Sequence, residues 1–355
     1  MKVLLLSRYG HLGASSRVRS YQYLPYLKAQ GIDVKVLPIL NNDYVKSVYF
    51  GRNKPVFSIL GAYLRRLWYI FNSHQFDLVW VEKEIFPWVP AIAEAVLSNF
   101  KVPYVADYDD AIFHRYDMNH LHTVRFFLGR KIDKVMKNAS IVIVGNEYLA
   151  DRSRQAGVRR IEYLPTVVDL EKYSGYQSTC HSNLITIGWI GTPVTQGYLQ
   201  KIAHSLSVVC QRDWARVVLI GANNPQFQNV PVVIRSWSEE TEVAGIQDFD
   251  IGIMPIPDDP WERGKCGYKL IQYMACGKPV VASPVGANTE IVKHGVNGFL
   301  AGSPREWLEA LTILRDNPSL RRKMGVAGRK MVEKEYCIQV TAPRLVSIFN
   351  FAVSA

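Results

Sequence analysis

Short apolar runs alternate with longer amphipathic stretches along nearly the whole chain. Runs at 3–7, 34–38, 77–81, 102–106, 141–145 and 161–165 have the length and β-branched content of buried strands. Between them, apolar residues recur at helical spacing over 17–30, 58–71, 128–138 and 147–155. The stretch 173–183 breaks the rhythm: it is polar, carries Gly175, Ser178, Thr179 and Ser182, and reads as a linker. A second series follows, with strands over 184–190, 215–220, 230–234, 250–255 and 280–283. Helices are expected over 198–209, 269–275, 290–293, 304–315, 319–335 and 338–352. Strand–helix–strand units imply parallel sheets with right-handed crossovers. The pattern therefore predicts two doubly wound α/β domains, over 1–175 and 176–337, with the last helix packing back on the first. In open α/β sheets ligands bind outside the carboxyl ends of the strands. The loops there, including the one at 8–16 with Gly10 and Gly13, are the candidate sites.

One stretch stands out, 261–286, reading WERGKCGYKLIQYMACGKPVVASPVG. Glycines and bases come first (Arg263, Gly264, Lys265, Gly267), then a short helix, then an apolar strand. A glycine-rich loop opening a helix presents backbone N–H groups and a positive dipole end to an anion. Lys265 and Lys269 add fixed charge, which makes this a candidate phosphate site; the alternative is a strand connection with a basic surface. At the end of the run 102–106 stand Asp107, Tyr108, Asp109 and Asp110. This carboxylate cluster suits sugar hydroxyls or a cation, and helix capping accounts for one aspartate but not all three. Arg17 and Arg19 splay around the first helix, so one can reach an anion while the other is solvated.

Composition narrows the class. The 355 residues exceed one ordinary core, and 48% hydrophobic with 12% aromatic content indicates a fully folded protein. The net charge of +11 suits nucleic acid, anionic lipid or phosphorylated small molecules. No nucleic-acid module signature is present, so a nucleic-acid partner is not expected. Five scattered cysteines without metal-ligand spacing point to a reducing cytoplasm, and Cys266 reads as a packing residue because no base partner is evident. The opening apolar run is too short for a signal peptide, and no run approaches the ~20 residues that cross a bilayer. Between Tyr44 and Phe71, aromatics (Tyr49, Phe50, Phe57, Trp68) interleave with Arg52, Lys54, Arg65 and Arg66. That mixture suits an anionic membrane interface through 58–71, or a core-packed helix with an arginine edge.

The run Gly277-Lys278-Pro279-Val280-Val281-Ala282-Ser283, with Gly286, Glu290-Ile291-Val292 and Gly295-Val296-Asn297-Gly298-Phe299-Leu300, resembles the C-terminal domain of family-four retaining glycosyltransferases. The resemblance extends to Gly188-Trp189-Ile190-Gly191-Thr192-Pro193 and Val168-Asp169. Ser16-Arg17-Val18-Arg19 and Asp107-Tyr108-Asp109-Asp110 resemble one bacterial branch. The resemblance implies the B-type glycosyltransferase fold, two Rossmann-like domains facing across a cleft. It implies a nucleotide-sugar bound mainly by the C-terminal domain, as donor substrate rather than cofactor.

The family usually carries two glutamates in the donor site, where this chain has Gly264 and Gln272. Gln272 can still hydrogen-bond a ribose diol, and the role at Gly264 passes to backbone or to Arg263. The usual Arg and Lys for the diphosphate are absent near Thr192, Pro193 and Thr195, so Lys265 and Lys269 are the expected replacements, beside the amides of Gly191 and Gly267. Gly13 is a further donor-side candidate, and Trp237 is a candidate to stack on the base or a packing residue. Asp109 stands where the family often has a histidine and is the expected catalytic residue on the acceptor side, positioning the acceptor first, with a part in proton transfer as the alternative, and Arg17, Asp107 and Asp110 beside it. No metal is required on this reading. The expectation is a metal-independent transferase acting on a saccharide or lipid-linked saccharide in surface polysaccharide or glycolipid synthesis. It would be cytoplasmic or peripheral on the inner face of the cell membrane. The altered glutamate positions keep open a catalytically altered nucleotide-sugar-binding protein, and the same fold serves nucleotide-sugar epimerases.

Overall fold

A computed structural model of the chain describes residues 1–49, 56–100, 102–174, 184–211, 214–223 and 225–354. The linker positions Gly175, Ser178, Thr179 and Ser182, and Phe50, Arg52 and Lys54, lie outside the described residues. The chain forms two compact units, one of Met1–Thr166 with Gly264–Cys266 and Thr341–Ala355, the other of Val167–Arg263 with Gly267–Val340.

In the first unit the apolar runs become strands β1 (Lys2–Leu6), β2 (Asp33–Val36), β3 (Leu78–Glu82), β4 (Tyr104–Tyr108), β5 (Ile141–Val144) and β6 (Ile161–Tyr163). They form one sheet in the order β2-β1-β3-β4-β5-β6, and every pair is parallel. Every residue of β3, β4 and β5 is buried, as a sheet covered on both faces requires. The chain leaves β1 to one side and returns to β3 on the other, so the sheet's switch point lies at the carboxyl ends of β1 and β3.

The helix expected over 17–30 is broken. It runs as α1 (Ala14–Arg19), a 3₁₀ turn at Tyr21–Tyr23 and a helix at Leu24–Ala29. The Ser20 hydroxyl bonds back to the Ser16 carbonyl, and Pro25, which lacks an N–H, fits the first turn of the new helix. The amphipathic helix α2 spans Val56–Phe71, and an unforeseen helix α3 covers Ile92–Asn99. After β4 come α4 (His114–Asp117) and α5 (His122–Leu128). The helix expected over 128–138 starts only at Lys131, since Leu128 closes the preceding helix α5 and Gly129 caps it, its amide donating to the Arg125 carbonyl.

The second unit repeats the plan with β7 (Ile185–Ile190), β8 (Ala215–Ile220), β9 (Val232–Arg235), β10 (Ile251–Met254), β11 (Val280–Ala282) and β12 (Gly298–Leu300). The order is β12-β11-β10-β7-β8-β9, again all parallel, which puts the switch point at the carboxyl ends of β7 and β10. Helix α6 (Tyr268–Ala275) opens on Gly267, whose φ of 65° is the left-handed region glycine takes at no steric cost. The last helix, α7 (Ile338–Ser354), lays its later part on the first unit. There Phe349 meets Trp80 edge-on at 5.2 Å and the Tyr23 hydroxyl contacts Thr341 at 2.9 Å. Each unit is thus a six-stranded doubly wound parallel sheet, as the alternating pattern predicts.

The arginine edge expected on α2 is half right. Arg65 is exposed. Arg66 is 1% exposed and donates to the carbonyls of Ile85, Ser7 and Leu37. Its guanidinium ties α2 to the first unit's interior, because a planar fork of N–H donors reaches three backbone carbonyls at once. Among the described residues no helix is long and apolar enough to cross a membrane.

Candidate functional site

At the carboxyl ends of β1, β3 and β4 the first unit gathers a charged cluster. Lys83 follows β3 with φ of 69°, an unusual backbone for a side chain this long. Its ammonium lies 2.9 Å from Asp109 and 2.9 Å from Asp110, and also donates to the Ser15 hydroxyl. Ser15 in turn donates to Asp109 at 2.6 Å. Glu82 accepts from the Ser16 hydroxyl at 2.6 Å and the Arg8 amide at 3.0 Å, so α1 is pinned to the end of β3. Burial disfavours charge on Asp109, but Lys83 and the Ser15 hydrogen bond outweigh it and hold its carboxyl below the usual range. Burial likewise disfavours charge on Lys83, and Asp109, Asp110 and Glu82 reverse that to raise its pKa. Asp110 is about a quarter exposed, and its Oδ1 has no partner among the described residues.

The other expected acceptor residues are committed differently. Asp107 is 2% exposed and takes both Nε and Nη2 of Arg19, at 2.9 and 2.5 Å. Arg19 also donates to the Leu164 carbonyl, so this pair is a strut inside the unit. Neither Arg17 nor Arg19 is solvated: both are buried. Gly13 donates its amide to Gly10 and its Cα faces Tyr9, where an added Cβ would stand 2.2 Å from the Tyr9 Cβ. It is a packing glycine at the start of α1. Lys83, Glu82 and Ser15 were missed by the sequence reading; the Glu-Lys-Glu directly after a buried strand was the available signal.

The loop Gly264–Cys266 belongs to this unit by its contacts. A Cβ on Gly264 would stand 2.5 Å from both the amide nitrogen and Cβ of Ala111, so this position admits no side chain. Asn146 donates to the Lys265 carbonyl at 3.0 Å, and the Lys265 side chain is half-buried. The Cys266 thiol donates to the Asp109 carbonyl, and burial pushes its pKa up, which suits packing and not nucleophilic chemistry.

In the second unit Lys269 reaches from the first turn of α6 to the end of β7. Its ammonium lies 4.3 Å from the ring centre of buried Trp189, and 2.8 Å from where a Cβ on Gly191 would be. A cation over an indole face is held electrostatically by the ring. Gly191 thus lets the ammonium approach the strand end. Its amide is not available for an anion, because it donates to the Ile220 carbonyl. Thr192 is half-buried in the turn that follows, its carbonyl accepting from the Thr195 amide. Arg263 is exposed and ion-paired with Asp258 at 2.6 Å. Gln272 is 3% exposed and donates to the Tyr173 hydroxyl, so its amide is turned into the core. Trp237 is half-buried, packs on the same core and donates to Glu242 at 2.8 Å. Glu262, passed over in the sequence, is a buried carboxylate accepting from the Tyr198 hydroxyl at 2.5 Å. Among the described residues no group of three or more His, Cys, Asp or Glu side chains is arranged to hold a metal ion.

Residues 18–172 match the family model described as Glycosyltransferase Family 4, and residues 181–317 match Glycosyl transferases group 1. N-acetyl-alpha-D-glucosaminyl L-malate synthase of Bacillus anthracis is 25% identical over 146 residues, 39% of this chain and 38% of that protein. A GDP-mannose-dependent monoacylated alpha-(1-6)-phosphatidylinositol monomannoside mannosyltransferase of Corynebacterium glutamicum is 36% identical over 85 residues, 24% of this chain and 22% of that protein. These matches span well under half the length of either relative. HepE of Anabaena, solved in complex with UDP, superposes with a TM-score of 0.68 at 16% identity, covering 99% of this chain and all of that one.

Proposed function

We propose that the chain is a retaining glycosyltransferase that takes a sugar from a nucleotide-sugar and delivers it to a saccharide or lipid-linked saccharide. The observation that carries the reading is Lys269, whose ammonium stands against Gly191 at the switch point of the second sheet. A fixed cation beside a helix N-terminus stabilises negative charge that grows on a departing diphosphate. Lys265, four residues upstream, adds to that charge. The reaction then needs no metal: the acceptor hydroxyl attacks on the face the diphosphate leaves, and the leaving phosphate takes the hydroxyl proton. Asp109, kept ionised by Lys83, accepts a hydrogen bond from the acceptor and orients it. The named specificities of the mannosyltransferase and of UDP-bound HepE support a nucleotide-sugar donor and, for the former, a lipid acceptor. On this reading the protein works against an anionic membrane surface through 58–71.

A thermal-shift series with UDP-, GDP-, ADP- and TDP-sugars tests the donor site, since a ligand that binds only the folded state raises its midpoint by mass action. One nucleotide is expected to raise the midpoint, and Lys269→Ala to remove that rise. If none does so, the donor site is refuted. A second reading, a nucleotide-sugar-binding protein without transfer, is favoured by one observation: Gly264 has no room for the carboxylate usual there. It is distinguished by a donor that binds while no acceptor yields product.

A further inference from the structure

The outer face of α2 is apolar. Phe57 is 90% exposed, and Leu60, Leu64, Leu67, Trp68 and Phe71 continue the exposed row at helical spacing while Ala62, Arg66 and Ile70 face inward. The row is joined to a second one by direct contacts within the first unit. The Tyr63 hydroxyl of α2 donates to the Pro87 carbonyl, and exposed Trp88 stacks edge-on with Tyr116 of α4 at 5.4 Å. Helix α5 follows, and its Phe126 and Phe127 are 74% and 72% exposed. No carboxylate occurs in 56–76 or in 118–132. The same two segments carry exposed Arg65, Arg125 and Arg130.

We propose that α2, Trp88 and α5 together form a docking face for an anionic phospholipid bilayer. The occupant is argued from charge and residue type. Exposed Phe, Trp and Leu suit the headgroup–acyl boundary, and arginines without neighbouring carboxylates suit a negative surface. A protein partner of ordinary mixed charge has no such preference. Arg66 takes no part in lipid contact: it holds α2 to the first unit's interior from behind, so the helix is presented as a preformed face. The inference rests on the proposed function for why a membrane should matter, since it brings the first unit to a lipid-linked acceptor. The binding itself is independent of the transfer reaction.

Flotation of the full chain with phosphatidylcholine vesicles, alone or containing phosphatidylglycerol, tests it in about 0.15 M salt. The chain is expected to float with the anionic vesicles and not with the neutral ones. Phe126→Ser with Phe127→Ser, and separately Leu64→Ser with Trp68→Ser, should each lower the bound fraction by about fivefold or more. All four side chains are exposed, so the unfolding midpoint of each variant should stay that of the parent, which separates lost docking from lost folding. The proposal is overturned if no vesicle is bound, if the variants bind as the parent does, or if binding ignores lipid charge. It is also overturned if sedimentation shows a dimer that these substitutions dissolve, because a second copy then covers the face. Donor-induced thermal shifts on the same samples keep a failed membrane result distinct from a failed donor site.

Discussion

The Lys83 ammonium sits 2.9 Å from the carboxylates of both Asp109 and Asp110 and is 2% exposed. A cation so buried is stable only with its countercharges, and Asp109 is in turn held ionised by it.

Lys83→Met leaves two carboxylates without their cation, at an expected cost of about 3–5 kcal/mol. The cost depends on pH with a definite sign. Asp109 has a depressed pKa in the parent, so the pair's stabilisation is present above the ordinary carboxylate value of about 4 and is lost as pH falls through the lower folded value. In the variant the Lys83 charge no longer opposes burial, so the Asp109 pKa rises from its value in the parent. Urea unfolding across about pH 3–7 should show a gap between parent and variant that widens with pH. A gap of constant size would mean that Lys83 does not neutralise Asp109.

Arg66→Ala is expected to cost about 3–5 kcal/mol, because it strips a donor from the carbonyls of Ile85 and Leu37 and one of two from that of Ser7. Arg65→Ala, one residue earlier and exposed, should stay within about 0.5 kcal/mol. Denaturant midpoints of the two variants decide the matter, and equal values would contradict the assignment of Arg66 as a tie between α2 and the first unit's interior.

Gly191→Ala places a methyl 2.4 Å from the Trp189 ring and 2.8 Å from the Lys269 ammonium. Both neighbours have to give way, and because the ammonium rests 4.3 Å from the centre of that ring, a shift of either one takes the lysine from its place at the strand end. The nucleotide-sugar should then bind about tenfold or more weakly, while the unliganded protein loses about 1–3 kcal/mol to crowding. Gly197→Ala, which meets nothing within 4 Å, is the control and should leave affinity unchanged. Isothermal titration of both variants reads the difference.

Gly264→Glu, which restores the carboxylate usual in related enzymes, is expected to lower both midpoint and activity. The first atom of any side chain there collides with the Ala111 backbone at 2.5 Å, so the loop has to leave its seat. A variant with raised activity would show that the loop has room for that side chain.

Much of the secondary structure could be read in advance because its signal is local. The helix at Glu147–Gln155 and the strand at Ala215–Ile220 fall where apolar spacing and flanking polar residues put them. The misread elements failed at single residues, Ser20 with Pro25 in the first helix and Gly129 before the helix at Lys131, which interrupt an otherwise helical pattern. The candidate sites were legible in part. Asp109 and Lys269 were singled out from charge at strand and helix ends. Lys83 was not, because nothing local distinguishes a lysine that points into a carboxylate pair from one that points to water. Asp107 was read as a ligand for the same reason and Gln272 from the family resemblance, and the fold turns both inward, to Arg19 and Tyr173.

Apolar periodicity by itself determined that this chain alternates strands and helices and builds two parallel sheets. It also determined that 261–286 opens a helix behind glycines and lysines. Only the tertiary structure decided the partners. Ser15 meets Asp109 across 94 positions and Arg19 meets Asp107 across 88, and in each case the order β1-β3-β4 brings the two ends together. Strand order is a choice among pairings that similar β-rich runs allow. The charges it buries are satisfied by residues far along the chain, and no local pattern records which ones.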